Sequence, residues 1–195
     1  MKNKEIQESR MRGYFIEATK NILKSEGIKS ISARNIANEA GYSYATLYNY
    51  FKDIKELVFE CVIDFQEEGK NFILKKVKKY PPGKERIKAT AMSYVHFFLE
   101  YPNYFELFFI ERLSDVSNVK PTAQLITSFL YRLCEEDWKY CIDNNIYSMK
   151  NAGQLKSQLN FAITGALLFY LNRKSPDSYT EFLQTAEETV IGIID

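Results

Sequence analysis

Glycine and proline are scarce in this 195-residue chain, at eight and five residues. The prolines stand at Pro81, Pro82, Pro102, Pro121 and Pro176, so long stretches run without a breaker. Cysteine is limited to Cys61, Cys134 and Cys141. An odd count with no C-x-x-C pair argues against a disulfide framework and against a zinc site. Cys134 and Cys141 lie seven apart on one helix face, and all three are expected as buried, unreactive thiols. Histidine occurs once, as His96, and no G-x-S-x-G, H-E-x-x-H, P-loop or dinucleotide fingerprint is present. No enzyme chemistry and no cofactor or metal is therefore expected. The carboxylates of Glu111 with Asp115, and of the run Glu135-Glu136-Asp137, are explained by solvated helix faces. No apolar run approaches ~18 residues and no charged-then-apolar leader opens the chain, which predicts a soluble, cytoplasmic protein without a membrane span.

What is present is helical periodicity with a heavy aromatic load, 14 Tyr and 14 Phe. Most of those rings are expected to pack a core. The fold class that follows is all-α. Met11, Tyr14, Phe15, Ala18, Ile22 and Leu23 recur at three and four, predicting an amphipathic helix from about residue 9 that Gly27 stops. Ser32 opens a short helix to about Ala40, and Ser43 opens the next, to about Tyr50. Asp53 followed by Glu56 resembles a capping box for a long helix to about Lys79. Beyond Pro81-Pro82-Gly83, helices are predicted at about 84–100, 102–113, 122–145, 153–173 and 178–194.

Charge is unevenly spread. Net charge is only +1, but residues 1–55 carry ten Lys/Arg against six Asp/Glu, and residues 56–195 carry sixteen against nineteen. A basic head on a mildly acidic body fits a nucleic-acid-binding module joined to something else. The boundary is placed near residues 52–56, which divides the chain into 1–52 and 53–195.

The stretch Ala33-Arg-Asn-Ile-Ala-Asn-Glu-Ala-Gly41-Tyr-Ser-Tyr-Ala-Thr-Leu-Tyr-Asn-Tyr50 has helix-turn-helix spacing. Ala37 stands where two helices cross closely, and Gly41 stands in the turn where a positive φ needs no Cβ. Ile36, Ala40 and Leu47 clamp the pair. Such a motif lays its second helix across the DNA major groove.

These residues, with Ile31-Ser-Ala-Arg-Asn-Ile-Ala before and Phe51-Lys-Asp-Ile-Lys-Glu-Leu57 after, resemble the TetR-family signature over about residues 9–60. The resemblance implies a three-helix DNA-binding head and a helical body that binds a small ligand and dimerises. It implies a base-reading role for Arg34, Tyr44 and Ala45, and phosphate contacts for Thr46, Tyr48, Ser32 and Lys52. Tyr42 and Ser43, in the turn, belong to the same expected face. Two positions depart from the pattern. Tyr50 replaces a common His but keeps a donor, and Ile54 replaces a common Lys, leaving Lys55 to reach the phosphate. Phe51 and Leu47 are expected purely as packing.

For the body, the resemblance implies a regulator whose small-molecule effector changes its affinity for a palindromic operator on double-stranded DNA, most simply a repressor. An activator, or an architectural DNA-binding protein without ligand, is the alternative. The effector is expected to be largely apolar and to lie against the long helix, near Cys61, Phe65 and Phe72. Facing them are Tyr94, His96, Phe98, Tyr101, Phe105, Phe108, Phe129 and Trp138. A palindromic site needs two heads, hence a homodimer. Its expected interface is one stripe of Leu159, Ile163, Ala166, Leu167 and Tyr170, and another of Phe182, Ala186, Val190 and Ile193.

Overall fold

The computed structural model describes residues 2–110 and 120–195, and every described element is helical. The chain runs α1 (Lys2–Ser25), a 3-10 turn (Ile28–Ser30), α2 (Ala33–Ala40), α3 (Tyr44–Tyr48), α4 (Ile54–Val77) and α5 (Lys84–Glu100). It continues through α6 (Pro102–Phe105), which passes into a π-helical turn (Glu106–Ile110). Then come α7 (Lys120–Thr127), α8 (Phe129–Leu133), α9 (Glu135–Asp143), α10 (Met149–Arg173) and α11 (Tyr179–Ile194). Two compact units form. One comprises Met1–Glu67 with Tyr101–Ile126, the other Glu68–Glu100 with Thr127–Asp195.

Helix starts follow side-chain caps. Ser32, Ser43, Ser148 and Ser178 each accept a bond from the backbone N–H three residues on, satisfying a donor the helix itself leaves orphaned. At α4 the Asp53 carboxylate accepts from Glu56 N–H at 2.8 Å, and Glu56 reaches back to Lys52 N–H at 3.0 Å. This is the capping box displaced by one residue.

Several boundaries differ from those the sequence predicts. α1 begins at Lys2, because residues 2–8 contain no breaker and, though 3–8 are exposed, extend a helix already nucleated on the apolar stripe. α10 starts at Met149, where the Ser148 cap admits a polar first turn. The single helix expected at 122–145 is three, interrupted at Ser128 (φ −94°, ψ 3°) and Cys134 (φ −102°, ψ 6°). Both interruptions sit at residues that are neither Gly nor Pro, so composition does not announce them. The predicted end of the 102–113 helix, with Glu111 and Asp115, lies outside the described residues.

In the first unit, Phe15, Ile22, Ile36, Leu47, Phe51 and Leu57 form the core that holds α1–α3 to the start of α4. Arg12 straps this core. Its guanidinium lies 4.1 Å over the Phe51 ring and donates to the Tyr50 carbonyl and to the carboxylates of Glu56 and Glu60. In the second unit, α5, α10 and α11 pack on one another, and α8 and α9 pack on α5. Asp137 corrects an expectation here. Instead of facing solvent it is 3% exposed, accepting from Gly83 N–H at 2.9 Å and from Arg86 Nε at 2.8 Å. The turn at Cys134 rotates the next residues inward, so the acidic run splits: Glu135 and Glu136 are exposed and Asp137 is not.

Candidate nucleic-acid interface and helical body

The head presents its expected face through two short helices joined by a fixed turn. Gly41 adopts φ 75°, ψ 25°, and the Tyr42 N–H returns to the Ala37 carbonyl at 2.9 Å. A glycine in this left-handed conformation ends α2 without strain, so the chain can turn directly into α3. Ile36, Ala37 and Leu47 are buried, as a close helix crossing requires.

With those inner positions committed, the outer positions project together. Tyr44 is 64% exposed and Tyr48 49%, and Ala45, Arg34 and Lys52 are also exposed. Ser32 and Ser43 spend their side-chain oxygens on caps, and the Ser43 and Thr46 hydroxyls lie 2.9 Å apart. Each hydroxyl keeps a free lone pair or proton, but its orientation is set by the helix start. Lys55 is exposed at the start of α4. Tyr50 stands apart from the group. It is half-buried, its ring 6.2 Å from Phe15, and its carbonyl is held by Arg12, so it belongs as much to the head's packing as to its surface.

One exposed ring was not foreseen. Tyr14 of α1 stacks on Tyr42 at 6.0 Å and extends the aromatic surface beside α3. Helical spacing places Tyr14 on α1, but only the packing of α1 on α2 brings it to Tyr42. Arg12 was missed for the same reason.

The expected effector-binding residues divide between the two units. In the first, Cys61 is buried and donates to the Ile16 carbonyl at 3.7 Å, and burial pushes its thiol far above the ordinary range. Phe65 stacks on Tyr104 at 3.8 Å, Tyr101 stacks on the same ring at 5.2 Å, and Phe105 and Phe108 are buried. In the second, Phe72 lies 5.6 Å from Phe97 under the Lys76 ammonium. Tyr94, Phe98, Phe129 and Trp138 are buried. His96 is half-buried, and burial followed by the nearby Lys76 charge lowers its pKa, leaving it neutral near pH 7. Cys134 and Cys141 are buried thiols raised above their usual pKa by the same desolvation. Among the described residues no cluster of metal-ligating side chains occurs and no helix is long and apolar enough to cross a membrane.

The two stripes expected at a dimer interface lie inside the chain. Leu159, Ile163, Leu167, Tyr170, Phe182, Ala186 and Val190 are buried, with Tyr170 stacked on Phe182 at 4.2 Å. Ala166 and Ile193 are partly covered. Beyond Met149 in its first turn, the apolar residues that α10 leaves in solvent are others: Phe161 at 76%, Phe169 at 61% and Leu168.

Residues 15–61 match the family model of bacterial regulatory proteins, tetR family. Solved structures share the fold over nearly the whole chain. A TetR transcription regulator from Haloarcula marismortui is 19% identical with a TM-score of 0.72, covering 96% of this chain and 97% of its own. RolR, solved with the ligand resorcinol, is 14% identical with a TM-score of 0.70, covering 97% and 95%. FadR from Bacillus subtilis, in complex with stearoyl-CoA, is 13% identical with a TM-score of 0.69, covering 93% and 97%. Residues 15–61 thus match the N-terminal region of the tetR family, and the chain as a whole shares the fold of solved TetR regulators.

Proposed function

We propose that this protein is a repressor that binds a palindromic operator as a homodimer and is released by a small, largely apolar effector. The head, residues 1–52, supplies the DNA contacts and residues 53–195 supply effector binding and dimerisation. The observation that carries the reading is the exposed face of Arg34, Tyr44, Ala45 and Tyr48, standing on helices whose opposite faces are fully committed to packing. Arg34, Tyr44 and Ala45 read bases, while Thr46, Tyr48, Ser32, Lys52 and Lys55 hold phosphates. Tyr42 and Ser43 support the turn beside them, and Tyr50 contributes only its hydroxyl edge. An apolar effector is supported by the aromatic interior of the body and by the ligands of two proteins of the same fold, resorcinol for RolR and stearoyl-CoA for FadR. Release requires that the effector favour one arrangement of the heads, since equal affinity for both shifts nothing.

Because α10 and α11 use their inner stripes within the chain, the dimer forms through the outer face of α10. Phe161, Leu168 and Phe169 line it at i, i+7 and i+8, with Gly165 between them and nothing within 4 Å of where its Cβ would be. Sedimentation equilibrium of a Phe161→Glu, Phe169→Glu variant should give a folded monomer, and a dimer would exclude this face.

The functional reading is tested by selecting an operator from random duplexes and following its affinity by fluorescence anisotropy. A palindrome should emerge, and affinity should fall with salt at a log–log slope of roughly −8, for four to five phosphates per subunit. A screen of hydrophobic compounds should find one that raises the melting temperature and weakens operator binding together. Stabilising compounds that all leave DNA affinity unchanged would favour an architectural protein, and a reporter gene that falls silent when the regulator is deleted would make it an activator.

A further inference from the structure

Tyr94 is the buried aromatic of α5 whose chemistry packing does not account for. It is 1% exposed, lies edge-on to Phe98 at 4.8 Å, and tilts against Phe129 at 5.8 Å. Its hydroxyl is fully buried and has no hydrogen-bond partner among the described residues. The same helix uses phenylalanine at 97 and 98 to fill space, and phenylalanine at 94 would fill the same volume without an orphaned donor. An unpaired buried hydroxyl is costly and uncommon in folded proteins. Burial also pushes the Tyr94 phenol upward, so it remains a protonated donor across the physiological range.

We propose that the Tyr94 hydroxyl is the donor that orients the effector, which is an uncharged aromatic compound bearing a carbonyl or ether oxygen. The inference rests on the effector reading above and names the ligand class. Phe98, edge-on to Tyr94, and Phe129, tilted against it, surround the hydroxyl with aromatic rings, which suits an aromatic frame. The acceptor is neutral because an anion buried here would need a cation beside it. Arg86, two turns earlier on α5, is already held by both oxygens of Asp137, at 2.8 and 2.9 Å.

The test uses acetyl and ethyl derivatives of benzene, naphthalene and biphenyl, pairs that match in shape and differ in one acceptor. Wild-type protein should bind the acetyl member of at least one pair about tenfold more tightly by calorimetry. In Tyr94→Phe the two members of that pair should bind alike, at the affinity of the ethyl compound. Without ligand, Tyr94→Phe should melt at or above the wild-type temperature, because the lost hydroxyl has no partner among the described residues. A lower melting temperature would overturn the proposal by showing that the hydroxyl is paired within the protein. Equal binding of both members to wild type would overturn the role of Tyr94 and leave an apolar effector intact. Failure of all six compounds to bind would remove the aromatic ligand class, and the wider hydrophobic screen then decides the effector reading separately.

Discussion

Tyr44 and Tyr94 place the same side chain in opposite surroundings, and the contrast separates the head from the body. Around Tyr44, two helices of eight and five residues have spent Ile36, Ala37 and Leu47 on a small core, so their outer faces stay in water. Nothing inside the head needs Tyr44 or Tyr48, and an aromatic left in solvent on a turn-fixed helix is available to a partner. Around Tyr94, Phe98 of its own helix and Phe129 of α8 pack against a ring that is itself fully buried. A ring there packs whether or not it also touches a ligand. In the head, exposure separates the outer rings from packing; in the body, only an unmatched polar atom sets one buried ring apart from the others.

The largest effect that could break this comparison is in the body. Leu167 is fully buried, so Leu167→Glu places an unpaired charge in the α10–α11 core and should cost more than about 4 kcal/mol, seen as lost helical signal at 25 °C. Phe161→Glu, on the outer face of the same helix, should keep that signal. A folded, monomeric Leu167→Glu would return the inner stripe to the dimer interface.

In the head, Tyr44→Ala and Arg34→Ala should weaken operator binding by ~1–3 kcal/mol and relax base preference, with thermal stability unchanged. Thr46→Ala should weaken all sequences alike. A uniform, equal loss in the Arg34 and Thr46 variants would abolish the division between base and phosphate contacts.

Two glycines sharpen the local side of the comparison. Gly41→Ala forces a Cβ into φ 75° and should cost about 1 kcal/mol in urea unfolding. Gly13→Ala, exposed in the middle of α1 with open space around it, should stabilise by ~0.5–1 kcal/mol. Equal signs would mean that the turn is not held in the left-handed conformation.

The smallest effect concerns His96. Its folded pKa lies below the unfolded value near 6.5, so the unfolded chain binds the proton more readily. The stability that neutrality contributes is present above about pH 6.5 and is lost as pH falls through the folded pKa. His96→Gln should therefore lose less melting temperature between pH 7.5 and 5.5 than wild type, and an identical loss would place His96 in water.

Sequence alone determined what is written within a few residues. The Ser32 and Ser43 caps, the Gly41 turn, the Asp53–Glu56 start of α4 and the all-helical class each depend on bonds spanning three or four positions, so spacing reports them. The exposed face of α3 followed, because its inner positions were identifiable as clamps. Tertiary structure decided the rest. The breaks at Ser128 and Cys134 occur without Gly or Pro, and they turn Asp137 from an expected surface residue into the partner of Arg86 and Gly83. The apolar stripes of α10 and α11 were legible as stripes, but periodicity records that a face is buried, not against what. Their partners are each other and α5, and the rings left over, Phe161 and Phe169, stay in solvent. Likewise, counting rings identified an aromatic interior, while the Tyr94 hydroxyl, unpaired among the described residues, depends on every described neighbour that could have accepted its proton and does not.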